Sequence, residues 1–429
     1  MTVMTVDLKS LAAEARTAAR RLATAPTAAK NDALERIARG LTAASSNILA
    51  ANARDVEAAR KAGLGEHVID RLELNPERLG QIAGDVRNVA SLPDPVGEVI
   101  ESRELANGIL LERRRVPLGV IGVIYESRPN VTVDISALCL KSGNAAILRG
   151  GREAFNSNRA LAGLVRDSLA AAGLPKDAVQ FVDSTDRHLV DQMLAMKGGI
   201  DLLIPRGGAD LVRMVAEKAA MPAITGGVGV CHTYVDEAAD LRKAVDIVVN
   251  AKTQRPSVCN ALDTVLVHAA IADRFLPAVA DRLWDAGVEL RCDPRALSLL
   301  EPRARAAGRA RLLKRAAPED FGAEFLALIA SVRVVDSLDA ALDHIATYGS
   351  GHSEAIVTES SASADRFLDE VDAAAVFANA STRFTDGARF GLGAEVAIST
   401  SKFHARGPMG LREITSYKWV ARGSGQIVT

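Results

Sequence analysis

Residues 117–150 read PLGVIGVIYESRPNVTVDISALCLKSGNAAILRG, and the fold turns on them. LGVIGVIY (118–125) is a continuous apolar run. Val131 to Lys141 has helical character, and NAAILRG (144–150) is a second run of the first kind. Strands without polar alternation are those covered on both faces, so strand, helix, strand in this order predicts a parallel sheet between helices. The pattern continues downstream. A helix over 153–172 stops at Gly173 with Pro175 just beyond, as helix ends require. Strands are expected at 178–183, 199–205 and 223–225, and helices at 186–197 and 209–219. This is a nucleotide-binding type of architecture, whose ligands bind at loops on the strand ends.

Upstream, residues 5–60 are Ala-rich, with Leu34, Ile37, Leu41, Ile48 and Leu49 at helical spacing, and predict two or three amphipathic helices. Between them and the first buried strand, Asn107-Gly108 joins two extended runs within about 98–117. Both residues tolerate positive φ, so a hairpin is expected there. It reads either as a projection toward another subunit or as part of the main sheet. A break near Gly226-Gly227-Val228-Gly229 precedes a second alternation. Its strands are expected at 233–237, 261–268, 288–291 and 329–335, and its helices at 239–252 and 270–286. The fold class is α/β, with two parallel-sheet domains and a small β element. The expected divisions are 1–229, 230–389 and a tail over 390–429.

The 429 residues carry 52 Lys+Arg against 53 Asp+Glu, a net charge of −1. That balance supplies no global basic field for nucleic acid or an anionic membrane. With 48% apolar residues, a chain this long needs no disulfide or metal to fold. Cys139, Cys231, Cys259 and Cys292 lie 92, 28 and 33 residues apart; no CxxC or zinc spacing occurs, so free thiols in a reducing compartment are expected and no metal site. The start MTVMTVDLKS has no cationic, then apolar, pattern, and no run approaches the roughly 18 apolar residues of a membrane span. A soluble cytoplasmic protein is the expectation.

No GxGxxG, GxxxxGK[ST] or HExxH occurs. Arg206-Gly207-Gly208 lies between an expected strand and helix, where glycines let a backbone approach a phosphate; a plain tight turn accounts for it as well. Arg149-Gly150-Gly151-Arg152 follows another strand and offers two guanidinium groups to a phosphate, or is a solvated basic loop. Cys259, in TQRPSVCNALD, sits at a helix-to-strand junction four residues after Arg255. A thiol there can be a nucleophile or a small buried hydrophobe. Cys139 and Cys292 read as structural, and Cys231-His232 adjacency alone does not align thiol with imidazole. Arg128, Arg255, Arg383 and Arg406 all fall on turns with Pro, Gly or Ser, and four such loops suggest an anionic substrate.

The stretches VPLGVIGVIYESRPNVTVDISALCLKSGNAAILRGG, TQRPSVCNALDTVLVH, PEDFGAEFLAL and STSKFHARGPMGLREITSYKWVARG together resemble the γ-glutamyl phosphate reductases of the aldehyde dehydrogenase superfamily. The resemblance runs over almost the whole chain in order. It implies an aldehyde-dehydrogenase-like fold and NADPH-dependent reduction of L-glutamyl 5-phosphate to glutamate 5-semialdehyde and phosphate, the second step of proline biosynthesis. Residue by residue, it implies that Cys259 is the nucleophile, that Glu319 holds the nicotinamide ribose and that Phe321 lies beside the nicotinamide. Arg149 replaces a lysine that reaches the adenosine ribose, and Ile204-Pro205-Arg206-Gly207 replaces the phosphate-side turn. Gly410-Leu411-Arg412-Glu413 matches a segment that closes the site and reaches the oligomer interface. A homo-oligomer is therefore expected, and association with a glutamate 5-kinase stays open.

Two departures from the hydrolytic relatives carry chemistry. Their oxyanion-hole asparagine falls here on Ser127, and their general-base glutamate is missing, because no Asp or Glu occurs between Glu217 and Asp236. Hydrolysis needs a base to activate water, whereas acyl exchange with phosphate does not. The implied chemistry is attack by Cys259 on the acyl phosphate, with the Cys259 N–H and the Ser127 hydroxyl or Asn260 amide on the oxyanion. Arg128 and Arg255 are candidates for the phosphoryl group and Arg383 for the α-carboxylate. Arg149 and Arg152 are candidates for the extra phosphate of NADPH. The competing readings are a CoA-acylating or other acyl-phosphate dehydrogenase on the same fold, and a catalytically silent scaffold.

Overall fold

The computed structural model describes residues 6–224, 226 and 228–428. Thr225, the end of the strand expected at 223–225, and Gly227, in the expected interdomain break, lie outside the described residues, as do residues 1–5 of the start read for a leader. The chain forms two compact units, Met1–Thr225 with Gly391–Ala397 and Met409–Thr429, and Gly226–Phe390 with Ile398–Pro408. The stretch expected as a separate tail is thus divided between the two. No described helix is long and apolar enough to cross a membrane.

The first unit is built on a four-stranded parallel sheet in the order Val179–Phe181, Ala145–Gly150, Val120–Tyr125, Leu202–Arg206. All six residues of Val120–Tyr125 and of Ala145–Gly150 are buried. One face is covered by the helix Leu8–Leu22, whose Leu8, Ala12, Ala15 and Ala19 pack with Ile124, Ile147 and Leu203. Each fully buried Leu or Ile contributes about 1.5–3 kcal/mol. Asp7 starts that helix by accepting from the Lys9 and Ser10 amides, as N-caps do. Three helices, Leu8–Leu22, Thr27–Ala43 and Ser45–Lys61, occupy the Ala-rich start, and they bury Leu34, Ile37, Leu41 and Ile48. Sheet register sets Arg149 beside Ile124, with Gly150 and Arg206 flanking Tyr125, so both arginines arrive together at the carboxyl ends of the strands.

The hairpin is present, Val99–Glu104 against Leu110–Pro117, with Gly108 at φ 79°. It is not part of the main sheet. Its second strand pairs with Thr415–Arg422, making a separate antiparallel sheet of three strands. At 223–224, the described part of that stretch, an isolated bridge joins Leu203 to Ala223.

The second unit holds a seven-stranded, wholly parallel sheet. Its order is Leu313–Arg315, Glu289–Cys292, Ile329–Val335, Leu262–His268, Cys231–Val235, Ser353–Val357, Ala375–Ala378. Trp284, Phe275 and Leu283 on the helix Ala272–Asp285 pack with Val265, Val332 and Leu290 to fill one face. The strands at 353–357 and 375–378, with the helices Leu338–Tyr348 and Ser361–Glu370, extend the alternation beyond what the sequence pattern shows.

Candidate active site

In the second unit Cys259 lies on the turn between the helix Leu241–Thr253 and the strand Leu262–His268. It is partly exposed, unlike the buried Cys139, Cys231 and Cys292. The turn is braced from several sides. Lys252, in the last helical turn, is fully buried; its Nζ donates to Leu262 O at 2.7 Å and lies 3.5 Å from Asp263. Burial pulls the Lys252 ammonium down and pushes the Asp263 carboxyl up to about 6, each opposed by the other's charge. Asn260 Nδ2 donates to Thr385 O at 2.7 Å, and Thr382 Oγ1 donates to Asn260 O at 2.8 Å. One of the two N–H groups of the Asn260 amide, an expected oxyanion donor, is therefore spent holding the turn.

Beneath the turn, Cys231 Sγ donates to Cys259 O at 3.2 Å. Gly229 lies so close that an added Cβ would stand 2.6 Å from Cys259 C and 2.9 Å from Cys259 Cα. The Gly229 amide donates to Glu324 Oε1 at 3.0 Å. Burial raises the pKa of the Glu324 carboxyl. The nucleophile turn thus sits at the amino ends of the central strands, opposite to the usual ligand end of open α/β sheets.

Arg383 is buried at 8% exposure, and its Nε donates to Gln254 Oε1 at 2.9 Å. Burial lowers its pKa, and Arg389, Asp386, Arg255 and the Cys259 sulfur are all near enough to act on its charge. Arginine keeps its proton under such pressure. Arg255 is exposed. Thiol and two guanidinium groups are thus drawn together from the motifs at 254–260 and 381–385, a combination that suits an anionic electrophile. Glu319, on the short turn Pro318–Gly322, is exposed. Phe321 is mostly buried, edge-on to His344 at 5.4 Å between ring centres, with Arg333 over its face.

Sequence reasoning missed the polar layer behind the nucleophile. The His232 amide and Nδ1 lie 2.8 and 2.9 Å from Glu354 Oε2, fully buried. Burial raises the pKa of the Glu354 carboxyl, against the pull of His232. His352 Nδ1 lies 2.8 Å from Ser353 Oγ, which donates to Thr385 Oγ1 at 2.7 Å, so the chain of contacts ends on the residue that receives Asn260. Cys231 and His232, adjacent at an irregularity in the strand's register, reach different partners: Cys231 the Cys259 carbonyl and His232 Glu354.

In the first unit, the donors expected to meet ligand already hold carboxylates. Ser127, at φ 44°, donates from both N and Oγ to Glu153 Oε1, at 2.7 and 2.9 Å. Gly208 N, at the start of the helix Ala209–Lys218, donates to Glu126 Oε2 at 2.9 Å. A Cβ on Gly207 would stand 2.7 Å from Glu126 Cδ. Neither Glu126 nor Glu153 was singled out from sequence. Arg149 is buried at 6% exposure and donates to the carbonyls of Gly150, Thr185 and Asp186, while its Nε is buried without a partner. Arg152 and Arg128 are both exposed.

The profile of the Aldehyde dehydrogenase family matches residues 3–295. Gamma-glutamyl phosphate reductase of Roseiflexus castenholzii is 58% identical over 424 residues, 98% of this chain and 99% of that protein. The same-named protein of Enterobacter sp. strain 638 is 52% identical over 420 residues, 98% and 99%. Among solved structures, gamma-glutamyl phosphate reductase of Thermotoga maritima superposes with a TM-score of 0.95 at 45% identity, covering 99% of this chain and 100% of that one. An acetylating aldehyde dehydrogenase from Geobacillus thermoglucosidasius shares the fold, with a TM-score of 0.67 at 16% identity over 98% and 97%.

Proposed function

For a chain that belongs to the aldehyde dehydrogenase family and, within it, to the gamma-glutamyl phosphate reductases, we propose reduction of L-glutamyl 5-phosphate to glutamate 5-semialdehyde by NADPH, through a thioester on Cys259, as a step of proline biosynthesis. The observation that carries this reading is the cationic nucleophile turn. A partly exposed thiol stands near the buried Arg383 guanidinium, on a turn fixed by Lys252, Asn260 and Gly229.

The Cys259 thiolate attacks the acyl carbon, the acyl–phosphate bond breaks, and inorganic phosphate leaves. Arg255 and Arg383 offset the anionic charge of the phosphoryl and carboxylate ends. The Cys259 amide steadies the oxyanion. When the aldehyde forms, Cys259 departs as thiolate and is ready for the next substrate.

NADPH, when bound, supplies hydride to the acyl carbon. The residues of the first unit suit a phosphorylated dinucleotide. Arg149 and Arg206 stand near the carboxyl ends of the two strands that flank Val120–Tyr125, Arg149 has an orphaned Nε, and the Glu126 carboxylate marks the start of the helix Ala209–Lys218 as a place that accepts an anion. A phosphate taking the Gly208 amide displaces Glu126.

Run in reverse, glutamate 5-semialdehyde and NADP⁺ should give NADPH, followed by near-ultraviolet absorbance, only when inorganic phosphate is present. Reduction without phosphate would make water the acceptor and overturn the reading; reduction needing coenzyme A instead would assign a CoA-acylating enzyme. Arg149→Ala should cut the preference for NADPH over NADH, in kcat/KM, by about tenfold or more, the worth of one charge-assisted hydrogen bond. An unchanged preference would remove Arg149 from the cofactor's phosphate.

A further inference from the structure

Three pieces of chain converge on Cys259 within the second unit: Gly229 beneath it, Lys252 at the end of the helix before it, and Asp263 in the strand after it. A dipeptide further along the same unit touches all three. Glu324 Oε1 accepts from the Gly229 amide at 3.0 Å. The Phe325 amide donates to Asp263 Oδ1 at 3.1 Å. Lys252 Nζ stands over the Phe325 ring, 5.8 Å from its centre, and the Arg291 guanidinium lies 5.2 Å from the same centre. Both residues belong to PEDFGAEFLAL, a stretch in which only Glu319 and Phe321 have a role so far.

The place they hold is irregular. Cys231 pairs with Leu262 and His232 with Thr264, so the pairing skips Asp263. A bulge of this kind leaves backbone groups without their ladder partners, and bulges gather beside active sites. Side chains take the partners' place. Asp263 Oδ2 accepts from the Cys231 amide at 3.4 Å, and Lys252 Nζ donates to Leu262 O at 2.7 Å. Both side chains are buried, and buried charges are tolerated only when paired and hydrogen-bonded. The Phe325 ring adds to that pairing, because an aromatic face attracts a cation.

Leu326, the next residue, has φ 49° and is 46% exposed. Leucine rarely adopts the left-handed conformation, which persists only where the surroundings over-determine it. Its side chain gains little from a position so open to solvent. The contacts of Glu324 and Phe325 are what hold the backbone there.

We propose that Glu324 and Phe325 are positioning residues for the nucleophile. Glu324 sets the depth of Gly229, on which the Cys259 backbone rests, and Phe325 seats the Lys252–Asp263 pair behind the turn. The fit at Gly229 is tight enough that a Cβ there would stand 2.6 Å from Cys259 C, so a displacement of Gly229 passes straight to Cys259. Both residues act through these neighbours and not on the reacting atoms. The inference rests on Cys259 being the nucleophile of the reaction proposed above. Burial raises the pKa of the Glu324 carboxyl, against the pull of the Gly229 amide. An uncharged acceptor of the same shape, glutamine, therefore suits the position.

The test compares Glu324→Ala, Glu324→Gln and Phe325→Leu in the phosphate- and NADP⁺-dependent oxidation of glutamate 5-semialdehyde. Turnover is expressed per NADPH-binding site, counted by fluorescence titration, so that a variant that folds poorly is not mistaken for one that is misplaced. Glu324→Ala should lose about tenfold to 10²-fold in kcat, the scale of a 1 Å misplacement, with KM within about threefold of wild type. Glu324→Gln should restore kcat to within about threefold. Wild-type kcat in Glu324→Ala overturns the proposal. So does a Glu324→Gln as slow as Glu324→Ala, because the carboxylate's charge and not its bond to Gly229 would then matter. Phe325→Leu keeps the backbone bond to Asp263 and removes the ring; it should lower kcat by about threefold or more, and an unchanged kcat overturns the part given to Phe325. If the wild type shows no phosphate-dependent oxidation, the proposed reaction fails and alkylation by iodoacetamide decides the clamp alone. Cys259 is the one cysteine that is not buried, and its labelling is followed by mass. Glu324→Ala should slow it by about threefold or more as the thiol leaves its guanidinium neighbours, with Glu324→Gln restoring the rate; equal rates in all three proteins overturn the proposal.

Discussion

Cys259→Ser should lower phosphate-dependent turnover on the order of 10⁴-fold or more, as loss of a nucleophile does in other covalent enzymes, and leave NADPH binding intact. A thiol supplies a few per cent of thiolate at neutral pH unaided, whereas a serine hydroxyl needs a general base. The turn around Cys259 is furnished with guanidinium groups, and two carboxylates that brace it are committed: Glu324 to the Gly229 amide, Asp263 to the amides of Phe325 and Cys231. Guanidinium groups favour a thiolate but take no proton from a serine hydroxyl. The exchange of sulfur for oxygen leaves untouched the bonds that hold the turn, which run through backbone carbonyls and the side chains of Lys252 and Asn260. Turnover by stopped assay, acyl-enzyme mass and NADPH fluorescence titration separate the steps. Turnover within tenfold of wild type would show that another group carries the acyl chain.

Gly229→Ala should be nearly as harmful from beneath the nucleophile. The added methyl would press on the carbonyl carbon and Cα of Cys259, both backbone atoms that cannot swing away. Either the nucleophile turn rises or the start of the strand Cys231–Val235 retreats, and both are tied, the first by Thr382, Thr385 and Lys252, the second by Glu324 and Glu354. A misplacement of about 1 Å is worth on the order of 10²-fold in kcat, and overpacking of this kind costs about 1–3 kcal/mol of stability. Gly80→Ala, on the helix Pro76–Ser91 with nothing within 4 Å of its added Cβ, is the control and should stabilise by about 0.5–1 kcal/mol. Thermal melting alongside kcat gives both numbers. Wild-type kcat in Gly229→Ala would mean that the turn tolerates displacement and that its bracing is not what positions the thiol.

The parts legible in sequence are those where one local rule governs. Residues 118–125 and 144–150 read as buried strands because both faces are covered, so their centres, 118–124 and 145–148, carry no polar side chain. Asn107-Gly108 reads as a hairpin because few other pairs accept its backbone angles. The strand at 353–357 has no such signature: His352, Ser353 and Glu354 look like a polar loop, and only the pairing of Glu354 with His232, 122 residues earlier, makes them a buried strand. Glu126 and Glu153 were invisible for a related reason. A carboxylate near a glycine turn is ordinary in sequence, and its meaning appears only when it is found on the donors of Gly208 and Ser127. The crowding of Gly229 against Cys259 is likewise a contact through space. Arg149 shows both sides. Its position at a strand end could be read directly, but not that three carbonyls would already engage its guanidinium.

The third strand of the small antiparallel sheet comes from the far end of the chain, with Tyr417 opposite Arg115 and Trp419 opposite Arg113. Asn144 joins the same segment, donating to Ile414 O while accepting from Gly119 N. During synthesis the hairpin and the four-stranded sheet are therefore made long before the strand that completes them, and the whole second unit emerges in between. Until then Leu110–Pro117 is an open edge on a nascent polypeptide, the kind of surface that recruits strangers. The three successive arginines at 113–115 and the prolines and glycines around them read in that light as guards on a waiting edge, holding off other chains until the protein's own last strand arrives.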